Sequence, residues 1–119
     1  MSEIALVHDL PITGEPTFNR ITWYNLANGD TGSPFTLAQF ADRSVQVTGT
    51  FGTGGTLTFE GSIDGTNYNT LNDPQGNALS ITTSKIEAIS ELVIAIRPRV
   101  SAGDGTTNLT VSMIVRKAR

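Results

Sequence analysis

From Ser44 onward, apolar residues recur at every second position between short breaks of turn chemistry. "SVQVTGTF" sets Val45, Val47 and Phe51 against Gln46, Thr48 and Thr50, and "TLTFEGSI" turns Leu57 and Phe59 inward. "ALSIT" offers Leu79 and Ile81, and "LTVSMIVRKAR" lines up Leu109, Val111, Met113 and Val115. A period of two belongs to a pleated strand with one dry face and cannot serve a helix, whose repeat is about 3.6. The breaks are "GTGG" at 52–55, which reads as a tight hairpin turn, Asp64-Gly65, Asp73-Pro74 and "SAGDGTTN" at 101–108, all rich in residues that tolerate or impose turn geometry. Seventeen Thr and twelve Gly, with only 16 % charged residues, fit strands joined by turns better than long amphipathic helices.

This pattern predicts an all-β, antiparallel β-sandwich or jelly roll of seven or eight short strands, at roughly 8–12-residue spacing. A chain of 119 residues makes one such domain, placed at 18–119. Two stretches read either way. "SPFTLAQFADR" carries Ser33-Pro34, a helix-start pair, and Leu37 and Phe40 three apart, so 34–41 is a helical turn or a strand. Ser84 and Glu87 form a capping-box spacing, so 85–90 is a helical turn or a strand. "LVIAIRPRV" is a nearly continuous apolar run, as in a strand buried on both sides, with Pro98 at its end or edge.

Residues 1–17 lack periodicity, and Pro11 and Pro16 favour extended backbone, so an extended N-terminal arm outside the core is expected there. In "RITWYNLANGDTG" Ile21 and Trp23 share one face while Tyr24 and Leu26 fall near or on the other. A strand apolar on both faces needs a cover, either the arm or another chain. Ile114 likewise points to the nominally wet face of the last strand.

Composition removes several function classes. There is no Cys, hence no disulfide framework and no thiolate metal site. The first sixteen residues lack a basic segment followed by an apolar one, so no secretory signal is expected, and no apolar run approaches the ~20 residues of a membrane span. The net charge of −3 lacks the electrostatic term of nucleic-acid binding. Residues 1–75 hold eight acids and two bases, −6; residues 76–119 hold six bases and three acids, +3. That asymmetry can orient docking on a partner or a second copy, or simply solvate strand edges.

No catalytic constellation is visible, and no enzyme activity is expected. The one histidine, His8, lies in the arm, and no serine sits in a nucleophile elbow. Glu60, Asp64 and Asp73 stand at strand ends and turns, where paired carboxylates for glycoside chemistry are not expected. "EGSIDGTNYNTLNDPQGN", residues 60–77, is the one candidate for an ion, through Asp64, Asn67, Asn69 and Asp73. It lacks the closing acid of a calcium loop and reads more simply as two turns, one of type I′ at Asp64-Gly65 and one led by Asp73-Pro74. No cofactor or metal is assigned.

"SVQVTGTFG", "TLTFEGSIDGTNYNTLNDPQGNAL" and "LVIAIRPRVSAGDGTTNLTVSMIVRK" together resemble the small head decoration, or cement, proteins of tailed bacteriophages. The resemblance spans about residues 20–116; its most specific words are Gly61-Ser62-x-Asp64-Gly65-Thr66 with Tyr68, and Arg97-Pro98-Arg99-Val100. It implies a β-sandwich virion protein, made in the host cytoplasm, that stabilises the capsid exterior by binding across subunits of the major capsid protein. It also implies a homo-oligomer, dimer or trimer. On this reading the arm, with Pro11 and Pro16, lies along a neighbour. Ile21, Trp23, Tyr24 and Leu26, with Ile114 and Arg116, are the candidate contact residues. The Asp64-Gly65 word also resembles discoidin-like carbohydrate-binding sandwiches, which makes a sugar- or surface-binding module the alternative; Tyr24 and Tyr68 would be its platform.

Overall fold

A computed structural model of the chain describes residues 3–9, 18–36 and 40–117. Among them are twelve strands: β1 (Glu3–Ile4), β2 (Val7–Asp9), β3 (Phe18–Leu26), β4 (Thr31–Gly32), β5 (Phe35–Thr36), β6 (Phe40–Thr50), β7 (Thr56–Ser62), β8 (Asn69–Thr70), β9 (Ser80–Ile81), β10 (Lys85–Ile89), β11 (Ala95–Ala102) and β12 (Asn108–Lys117). No helix among the described residues is long and apolar enough to cross a membrane.

The strands form two packed sheets. One runs β10-β6-β12-β3-β2; the other runs β1-β4-β11-β7-β8, with β5 also on β11 and β9 also on β7. Setting aside the short N-terminal β1 and β2, and treating β4 with β5 and β8 with β9 as interrupted single strands, leaves eight positions, ordered β3-β12-β6-β10 in one sheet and β4/5-β11-β7-β8/9 in the other. Consecutive strands mostly fall in opposite sheets. This is the double Greek key of a jelly roll. Its strands are antiparallel except for β1, which lies parallel to β4.

The alternating positions supply the core: Val45, Val47, Leu57, Phe59, Leu79, Ile81, Leu109, Val111, Met113 and Val115 are all buried. Phe51, read as inward, lies past the end of β6 and packs against the core only in part. "GTGG" is not a hairpin turn, because β6 and β7 belong to different sheets; Gly52 and Gly54, both at positive φ, carry the chain across the gap.

Two open readings resolve as strand, and other expectations change. Lys85–Ile89 is a strand on the edge of β6, with Ile86 facing out and Ile89 buried. Phe35–Thr36 is a strand on β11, and residues 37–39 lie outside the described residues. The apolar run 92–100 is not a doubly buried strand: β11 begins only at Ala95, then alternates Ile96, Pro98 and Val100 inward with Arg97 and Arg99 outward. Pro98 stands inside β11, paired with Phe59. Phe59 spends its N–H on Leu79 O (3.1 Å) and its carbonyl on Leu71 N (2.9 Å), both away from β11. The missing N–H of Pro98 therefore removes no bond to β7, and on its other side it meets the Ser33-Pro34 break between β4 and β5.

Residues 3–9, expected in an arm outside the core, add a strand to each sheet: β1 on β4 and β2 on β3. Ser33 anchors them, its N–H donating to Ile4 O (2.8 Å) and its Oγ accepting from Leu6 N (2.9 Å). Ile4 and Leu6 pack against the core. Lone polar spacing hid this, since two- and three-residue strands leave no period to read. Pro11 and Pro16 lie outside the described residues.

Candidate interaction surfaces

The doubly apolar strand has an internal explanation. Ile21 and Trp23 point into the core, and the register with β12 then slips between Trp23↔Val111 and Leu26↔Leu109. Asn25 sits at φ 59, the left-handed region that Asn tolerates better than most residues, and forms a bulge. The extra residue swings Leu26 back to the inward face. Ile21, Trp23 and Leu26 are thus fully buried by the chain itself and cannot serve as contact residues in this fold. Tyr24 remains exposed, Ile114 lies half-buried on the outer sheet face, and Arg116 is exposed and bonded to Asp42 (Nε to Oδ2, 2.8 Å).

At the end of the sandwich where β7 stops and β11 starts, the loops after Ser62 and after Ile89 converge. Ile94 N donates to Ser62 O at 2.9 Å, which fastens one loop to the other. Leu92 is 87 % exposed and Ile63 76 %, and half-exposed Ile94 lies beside Gly65. A cleft of about 330 Å³ opens next to them, lined by Asp64, Asn67, Asn69, Thr70, Glu91 and Val93 among others. Isolated exposed aliphatics need no account, but three on two loops fastened to each other stand out from the rest of the described surface. Sequence reading missed it because Leu92 and Ile94 belong to an apolar run that looked like strand.

Beneath this end lies Arg43, on the inward side of β6 and only 6 % exposed. Its Nη2 donates to the Glu91 carbonyl, and Glu91 Oε1 accepts from Asn72 N at 2.8 Å, so Arg43 and Asn72 hold the Leu92 loop from two sides. Arg43 Nε has no partner among the described residues. Burial draws the guanidinium below its ordinary pKa, and neighbouring Asp42 partly offsets this.

The Asp64 loop is built for shape. Residues 63–68 join β7 to β8, and the pairs Glu60↔Thr70 and Gly61↔Asn69 leave too many residues for a two-residue hairpin. Gly65 alone has positive φ there, so the type I′ expectation fails. Asp64 Oδ1 accepts from Thr66 N and Asn67 N (both 2.8 Å) and Ser62 Oγ (3.0 Å), and Oδ2 accepts from Asn67 Nδ2 (2.8 Å). These donors, the Asn67 and Thr66 N–H groups foremost, hold its carboxyl well below the usual carboxylate range. Both oxygens accept bonds from within the loop, which accounts for the Asp64 side chain by turn geometry without an ion. The second turn stands as read: Gly76 N donates to Asp73 O at 2.9 Å, and Asp73 Oδ1 accepts from Gln75 N and Asn77 N.

On the outer face of β7 and β11, Glu60 is buried between Arg97 (Nε to Oε1, 3.0 Å) and Arg99 (Nη1 to Oε2, 3.2 Å). Arg97 in turn lies over the Tyr68 ring, 3.9 Å from its centroid. One face of Tyr68 is therefore already covered, which weakens it as a sugar platform. Among the described residues no group of three or more His, Cys, Asp or Glu could hold a metal.

No protein-family profile and no curated protein sequence matches the chain. Solved structures are similar to it in part or in whole. The SPBc2 prophage-derived protein YomS superposes with a TM-score of 0.64 at 15 % identity, over 82 % of this chain and 93 % of that one. NMB1881 from Neisseria meningitidis gives 0.45 at 12 % identity (93 % and 84 %), and KdgF from Halomonas sp. gives 0.43 at 9 % (95 % and 78 %). At 15 % identity the likeness to YomS is one of fold.

Proposed function

We propose that the chain is a non-enzymatic structural protein of a phage particle, which sits on the capsid exterior and docks on the major capsid protein through its Leu92–Ile63 end. The observation that carries this reading is the pair of aliphatic side chains at 87 % and 76 % exposure, on two loops fastened to each other beside a cleft at one end of the sandwich. The sequence words shared with decoration proteins and the fold shared with a prophage-derived protein support the phage setting. The carboxylates that could have done chemistry, Glu60 and Asp64, are tied into ion pairs and a turn instead. The interior of the jelly roll is filled by Trp23, Phe59 and aliphatic side chains.

A shell-bound protein of this kind stabilises by multivalency, since many modest contacts favour the state that displays their sites. The test is co-sedimentation with mature capsids that lack the protein, together with capsid heat resistance. Wild type should co-sediment and raise the rupture temperature, and Leu92→Asp should weaken binding by about tenfold or more. No co-sedimentation by wild type would overturn the proposal.

A further inference from the structure

Arg43 occupies a place that alternation along β6 shares with Val45 and Val47, the inward side of the strand. The register puts Ile89, Arg43, Val115 and Asn19 in one row across β10, β6, β12 and β3, and all four are buried. A guanidinium taken out of water is costly unless its charge and its donors are matched. Neither is matched at Arg43. Among the described residues no carboxylate is bonded to it, and Asp42, its neighbour in sequence, is exposed and takes Arg116 instead. Arg43 Nε has no partner, and the bond that is made runs from Nη2 to a main-chain oxygen, that of Glu91.

The effect of that bond falls on the next residue. Glu91 is pinned by its carbonyl to Arg43 and by Oε1 to Asn72 N (2.8 Å), and Ile94 is pinned through its N–H to Ser62 O (2.9 Å). Leu92 and Val93 are the two residues between these points. Val93 packs in part against the core, and Leu92 stands 87 % exposed. The cleft beside them is lined by Gly61, Leu71 and Val93 among others, and so offers a released loop apolar surface on which to lay a leucine. The pins hold Leu92 out against that gain. An unmatched buried charge and an exposed leucine both lower stability, and both belong to the same loop. Such a coincidence is expected where function, and not stability, sets the residue.

We propose that Arg43 is a positioning residue for the docking end: it holds the loop in the form that presents Leu92, at a cost to the stability of the sandwich. The inference rests on the docking reading above and adds the residue that sets it. Arg43→Met keeps a long side chain and removes the charge and the donor. It should melt at or above wild type, since an unmatched buried charge has gone. In the free protein the Ile94 and Asn72 amides should lose about tenfold of their protection from hydrogen exchange, while those of β12 keep theirs. Binding to capsids that lack the protein should weaken by about tenfold, because the loop must then be ordered on docking. An Arg43→Met variant that melts below wild type has lost an ordinary structural residue, and that result would overturn the proposal. Unchanged exchange at Ile94 and Asn72 would overturn it too, as would unchanged capsid binding by a variant whose loop exchanges faster. Wild type that never binds capsids would overturn the docking reading and the role built on it. Melting and exchange are read on the free protein, so they tell that failure from a failure of the Arg43 pin.

Discussion

The indole Nε1 of Trp23 donates to the carbonyl oxygen of Ser33 at 2.9 Å, tying a core residue of one sheet to the loop that borders the other. The same Ser33 holds Ile4 and Leu6, so one short loop joins both sheets and the N-terminal strands. Trp23→Phe keeps most of the ring but strands that carbonyl, and should cost about 1–3 kcal/mol. Trp23→Ala adds a cavity and should cost about 3–5 kcal/mol. Urea unfolding followed by circular dichroism measures both.

Gly32 is the next residue to test. A Cβ there would sit 2.7 Å from the ring carbons Cγ and Cδ of Pro98 and from Trp23 Cδ1, none of which can move without shifting a strand. Gly32→Ala should destabilise by about 1–3 kcal/mol through overpacking. Gly76→Ala is the contrast: open space surrounds it, so only its φ of 91° is strained, and it should cost about 1–2 kcal/mol. A Gly32 variant as stable as wild type would mean that the sheets do not meet as closely as described.

Two aspartates should govern acid stability. Asp104 accepts from Thr106 Oγ1 and N and from Thr53 N, and these bonds, the Thr106 hydroxyl first, hold its carboxyl well below the usual range, as happens at Asp64. A folded-state pKa below the unfolded one gives stability that is present above the ordinary carboxylate pKa of about 3.9 and is lost as pH falls through the folded value. Asp64→Asn and Asp104→Asn should therefore melt below wild type at pH 7, and the gap should narrow as pH drops below about 4. A gap that is constant across that window would mean that neither carboxylate acts through its charge.

Glu60 is buried while both of its arginine partners are partly exposed. Glu60→Ala strips two guanidinium groups of their shared acceptor, and we expect a loss of about 1–3 kcal/mol. Tyr68→Ala removes only the ring beneath Arg97 and should cost about 0.5–1 kcal/mol. A double-mutant cycle between positions 60 and 68 should show coupling, since Arg97 touches both.

The inward residues were legible because strand alternation reports which face is dry: Val45 to Val47, Leu57 to Phe59 and Leu109 to Val115 all lie in the core. Alternation does not say which strand is the neighbour, so the crossing at "GTGG" passed for a hairpin. A single bulge defeats it altogether. Asn25 turned Leu26 inward, and a strand that seemed to ask for an outside partner satisfied itself. The Leu92 patch was hidden for the opposite reason, since an apolar run signals burial whether or not the backbone is strand. Glu60's two arginines lie 37 and 39 residues away, beyond the reach of any local pattern.

β12 lies between β6 and β3, paired with both along most of its length. Residues 18–26 therefore have no main-sheet neighbour on that side until residues 109–116 exist. During synthesis the first long strand emerges roughly ninety residues before its partner, a loop closure that is slow because it is non-local. Neither half of this sheet is complete without the last strand. Residues 18–116 must all have emerged before this sheet can close, and until then its unpaired strand edges are open to wrong pairing.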